Sequence, residues 1–145
     1  MTNTANDTAA IGRVLIAVLF LMSGIGKIAA PVATQGFIAS AGLPAPLLAY
    51  LGSTLIEVGG SLLLILGYRV RLVAAVMAVF TMITAFVFHT NFANPDMVVH
   101  FLKNVAITGG LLQVVAYGAG AFSLDACRAR RETVSSSEQP QPLSA

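Results

Sequence analysis

The chain has little of what a cross-linked, metal-loaded or water-exposed domain depends on. Its one cysteine, Cys127, excludes an intrachain disulfide, a CxxC redox pair and a cysteine-based metal site. No HExxH, EF-hand loop or phosphate-binding glycine loop is present, so no residue pattern calls for a metal. Charge is scarcer still: 10% of residues are charged, against about 25% in soluble domains. A net charge of +2 resides in arginines flanking apolar runs, which gives no reason to expect a nucleic-acid partner.

What remains is apolar. Hydrophobic residues make up 57% of the 145, and the mean hydropathy is +0.84. A chain of this composition and length is one integral membrane domain whose partner is the lipid bilayer. A spanning helix needs about 20 mostly apolar residues. Four segments qualify: 9–28, 45–66, 72–89 and 99–117. The fold class expected is all-α, a transmembrane four-helix bundle. Residues 9–126 form the bundle, and the polar ends 1–8 and 127–145 read as disordered tails. Breakers separate the spans: Pro31, Pro44 and Pro46 in the first connection, "GYRVR" in the second, Pro95 in the third.

Cations give the expected direction. With four spans, the two ends and the second connection share a side, and that side receives all six arginines: Arg13, Arg69, Arg71, Arg128, Arg130 and Arg131. Both termini are therefore expected in the cytoplasm. Arg13 begins a stretch with some likeness to a secretory leader. However, the first twelve residues carry no Lys or Arg, and Lys27 occupies the place of a small-residue cleavage site.

One residue breaks the apolar pattern at depth. Glu57 lies about 18 Å along the second span at 1.5 Å per residue, near mid-bilayer. A carboxylate there is costly and must face protein or water. Ser53, Thr54, Glu57, Gly60 and Ser61 recur at offsets of three and four, forming one small, polar stripe. Ser23 and Lys27 on the first span, Thr81 and His89 on the third, and His100, Lys103 and Asn104 on the fourth supply the other polar faces. Glu57, Lys27, His89, His100, Lys103 and Asn104 are the candidate ligand-binding residues, with Glu57 a candidate proton relay and Lys103 its expected ion partner. Arg13 and Asp125 are polar candidates on the cytoplasmic side. The bland reading has Arg13 and Lys27 snorkelling to the interfaces, the histidines sitting at helix ends, and Glu57 as a structural ion pair. His89 and His100 flank one short loop without facing each other at a common depth, which disfavours haem.

Read in order, "GRVLIAVLFLMSGIGKI", "AGLPAP", "IEVGGSLLLILGYRVR", "FVFHTNF", "FLKNVAITGGLL" and "GAGAFSLD" resemble the DoxX family of small bacterial four-helix membrane proteins. The resemblance covers Gly12 to Asp125. It implies a bacterial inner-membrane protein that serves as a subunit or partner of a quinone- or thiol-linked oxidoreductase. It carries Arg13, Lys27, Glu57, His89, Lys103, Asn104 and Asp125 as the matching polar positions. No cofactor is expected to be covalently bound, and a quinone is the candidate ligand, with Phe88, Phe92 and Phe101 as candidate walls. A redox partner protein would supply the electron chemistry. Two other readings compete: a non-enzymatic scaffold or anchor, and a small-molecule or proton transporter. Four short helices leave the transporter little room for alternating access unless the protein forms an oligomer.

Overall fold

The computed structural model describes residues 3–137, and within them every regular element is helical. Six helices follow in order: α1 (Asn3–Ala29), α2 (Pro31–Ser40), α3 (Pro46–Leu66), α4 (Val70–Phe88), α5 (Pro95–Tyr117) and α6 (Leu124–Ser137). Four are long and apolar enough to cross a membrane: Asn6–Ala29, Pro46–Leu66, Val70–Phe88 and Pro95–Tyr117.

Packing follows the small residues. α1 lies mainly against α3 and α4 against α5, and α3 joins α4 to complete two paired hairpins. α1 and α5 close the ring with far fewer contacts. The inward stripe of α1 runs Arg13, Ala17, Phe20, Gly24 at offsets of four, three and four, and that of α4 runs Val70, Ala74, Met77, Ala78, Thr81, Ala85. Leu64, Met77, Leu111 and Val70 fill the centre. The outward faces carry Leu15, Leu55, Leu72, Val79 and Ile83, all more than half exposed. In water that would be untenable; in hydrocarbon it is the expected surface.

Four segments differ from the sequence reading. The first connection holds a helix, α2, started by Pro31 with its preset φ and ended by Gly42 at φ +77°. Its Ile38 is buried and its Phe37 stacks on Phe88 at 5.2 Å, so α2 lies over the bundle end away from the termini. At the start, α1 begins at Asn3 where a tail is expected, and the Asn6 side chain accepts from the Ala121 N–H at 3.3 Å. At the end, the Ser123 hydroxyl accepts from the Ala126 N–H at 3.1 Å and caps α6 through a segment also read as tail. Residues 1–2 and 138–145 of those tails lie outside the described residues. α5 starts at Pro95, four residues before the expected span, because the Asn94 side chain accepts from the Asp96 N–H at 2.9 Å.

Candidate functional site

The site begins with a glycine. A Cβ on Gly24 would lie 2.6 Å from Val58 Cγ2 and 3.2 Å from Glu57 Cβ, so only glycine lets α1 approach α3 this closely. One turn further along α1, Lys27 reaches the carboxylate and donates to both Glu57 oxygens at 2.5 Å. Glu57 is 5% exposed, whereas the lysine side chain keeps 24% exposure. The buried acid is thus answered by a cation whose stem still leads outward. Ser23 accepts a further bond from Lys27 at 3.2 Å, and the Ser61 hydroxyl donates to the Glu57 carbonyl.

Beside the pair lies a cavity of about 300 Å³. Lys27, Glu57, Ser23, Thr81, Thr84 and His89 present polar groups to it, with Lys103 and Asn104 on the α5 side. Leu19, Phe20, Phe80 and Ile107 provide the apolar wall. Leu19 and Ile107 belong to the sparsely packed α1–α5 seam, and a second groove of about 270 Å³ follows the same seam toward the termini. Ile16 lies against Gly110 on the wall of that second groove.

The histidines come together at the cavity's far end. Their rings stack at 5.2 Å with planes 26° apart, and Lys103 Nζ lies 3.2 Å from His100 Nδ1. His89 Nδ1 is buried without a hydrogen-bond partner, as is the Thr54 hydroxyl. Burial, then the neighbouring His100 and Lys103, lowers the His89 pKa below the ordinary histidine value. The expectation that the two rings do not meet is therefore corrected: the α4–α5 connection is short enough to bring them face to face. Stacked in this way, they do not flank a common axial position for a haem iron. Among the described residues no three His, Cys, Asp or Glu side chains converge as a metal set would.

Two further expectations are corrected. Glu57 pairs with Lys27, not Lys103, because Gly24 brings α1 nearer to it than α5. Phe88, Phe92 and Phe101 do not line the cavity: Phe88 stacks on Phe37, and Phe92 meets Phe101 edge-on at 5.3 Å. Phe20 and Phe80 take that place. Phe20 precedes Ser23 and Lys27 at a spacing of three and four, a signal that the sequence reading leaves unused; Phe80 carries no such signal.

Arg13 and Asp125 sit at the other end of the bundle and share nothing with this cavity. Arg13 is 3% exposed and donates to the Ala119 and Phe122 carbonyls, the latter at 2.9 Å, so it clasps the α5–α6 turn and does not snorkel. Asp125 accepts from the Arg69 and Val70 N–H groups at 2.8 and 3.0 Å, capping α4.

These features define a class: a multi-span helical membrane protein with a polar, ion-paired cavity between its helices. The DoxX family model matches residues 8–90, and the chain belongs to the DoxX family. It is 38% identical to the inner membrane protein YqjF of Escherichia coli over 115 residues, 79% of this chain and 87% of that one. It is 32% identical to the inner membrane protein YphA of the same organism over 120 residues, 79% of this chain and 86% of that one. No solved structure matches significantly. The protein is accordingly a multi-pass protein of the bacterial inner membrane.

Proposed function

We propose that the protein is a quinone-binding subunit or partner of an inner-membrane oxidoreductase, with the cavity beside Glu57 holding the headgroup. One observation carries this reading. A part-polar, part-apolar cavity lies between spanning helices, with the buried Glu57 and the Lys27 paired to it on its wall. Pockets for small ligands begin near this size and combine apolar walls with a few fixed polar groups. His89 donates from its ring to one carbonyl oxygen, and Asn104 or Lys103 to another. Phe20 and Phe80 pack the ring, and the loose α1–α5 seam leads an isoprenoid tail into lipid.

A bound quinone supplies reversible two-electron, two-proton chemistry. The chain's own contribution is to exclude water, orient the carbonyls, and hold a proton acceptor, Glu57, against a proton donor, Lys27. The electrons come from a partner, for which the exposed basic helix α6 is the candidate docking element. A thiol-linked version fits less well: Cys127 is exposed on α6, at the end opposite the cavity. Both termini are proposed to be cytoplasmic, supported by the gathering of Arg13, Arg69, Arg71 and Arg128 around the α3–α4 and α5–α6 connections.

The experiment is thermal unfolding in detergent with added short-tailed quinone. Saturable stabilisation of the native chain, abolished in Asn104→Leu and in His89→Leu, is expected. No quinone-dependent shift in the native chain ends the reading.

A further inference from the structure

A second cavity, of about 510 Å³, opens at the end of the bundle that carries the termini. Arg69 and Arg71 line it from the start of α4, and Tyr117, Gly118 and Ser123 from the α5–α6 turn. Gly118 has φ +79°, and a Cβ there would approach Arg71 Nε to 3.3 Å, so the turn makes room for that guanidinium. Asp125 also faces the cavity, but its two oxygens already accept from the Arg69 and Val70 N–H groups. Neither arginine side chain has a carboxylate within ion-pair distance among the described residues. Tyr68, with Arg69 and Arg128 at 6.0 and 5.7 Å from its ring, joins Tyr117 in marking this level as the membrane–water interface.

A lipid-facing groove lies beside this cavity. Leu72 lines both the cavity and this almost purely apolar groove, of about 310 Å³ between α3 and α4, bordered by Leu55, Gly59, Leu63 and Val76. Two guanidiniums at headgroup level, joined through one leucine to a lipid-facing groove, suit a molecule with a phosphate at one end and a hydrocarbon chain at the other. We propose that this end of the protein binds an anionic phospholipid, its phosphate between Arg69 and Arg71 and one acyl chain in the α3–α4 groove. The site is independent of the cavity beside Glu57.

Native mass spectrometry of the purified chain titrated with phosphatidylglycerol or phosphatidylcholine tests it. Preferential retention of phosphatidylglycerol is expected, falling about fivefold for each arginine removed in Arg71→Gln and in Arg69→Asn/Arg71→Gln. Asn suits the left-handed backbone at position 69, where φ is +45°. Arg130→Gln/Arg131→Gln, on exposed α6, should leave the preference intact. Gly59→Leu, which fills the groove, should weaken lipid retention with both arginines present. Equal retention of the two lipids, or an unchanged preference in Arg71→Gln, overturns the proposal. So does displacement of the lipid by inorganic phosphate together with indifference to Gly59→Leu, which would mark a free-phosphate site.

Discussion

The bundle buries charge twice, and the two places are built differently. Toward the termini, Arg13 gives its two terminal guanidinium nitrogens to backbone carbonyls, its Nε staying buried without a partner, and Asp125 gives both oxygens to backbone N–H groups. In the middle, Glu57 and Lys27 bind each other and face open volume, with unpartnered polar atoms nearby. A charge that completes the backbone holds the fold together. A charge paired with another charge, beside a cavity, leaves room for a ligand. Substitutions in the terminal cluster should therefore affect stability alone, and those in the central one binding as well.

The largest expected effect is on Arg13. Arg13→Met removes two charge-assisted bonds to the α5–α6 turn and should cost about 3–5 kcal/mol in unfolding measurements in detergent. Cavity binding should persist below the lowered transition.

Glu57→Gln should cost less, about 2 kcal/mol. Breaking a buried pair costs about 3–5 kcal/mol, but a lysine one quarter exposed can turn its ammonium outward. The double variant Glu57→Gln/Lys27→Met should regain most of that stability, and neither variant should bind quinone. Recovery of binding together with stability would erase the distinction between the clusters.

Asp125→Ala should cost about 1 kcal/mol, the usual worth of an N-cap, and leave binding unchanged.

The smallest effect is pH-dependent. The depressed His89 pKa means that the unfolded chain binds a proton more readily than the folded one just below pH 6.5. The stability His89 contributes is therefore present above that value and is lost as pH falls through its folded pKa. A small decline in melting temperature on acidification, flattened in His89→Gln, is expected.

How far the sequence disclosed this depends on the kind of signal involved. The spans were legible because apolar runs of about 20 residues match the thickness of a bilayer and exceed what a soluble core can cover. Glu57 stood out because a carboxylate at mid-bilayer demands a partner. Its partner was not legible: the choice between Lys27 and Lys103 depends on helix separation, which Gly24 decides through a close approach to Val58. Phe80 was hidden for a similar reason, since it differs from a lipid-facing aromatic only in the direction it points. α6 has a cap in Ser123, but its low hydropathy reads as tail when no partner for Arg13 is in view. The burial of Arg13 left no trace in the sequence at all, because an arginine near a span end ordinarily reaches for water.

The central claim, that the cavity beside the Glu57–Lys27 pair receives a quinone headgroup, is tested most directly by photolabelling with an azido derivative of a short-tailed quinone and mapping the labelled peptides. Label on the cavity-lining segments of α1, α4 and α5, competed by unlabelled quinone and absent in Glu57→Gln/Lys27→Met, is the predicted result. Label spread over the lipid-facing surface, or unaffected by competitor and by the double substitution, would contradict it.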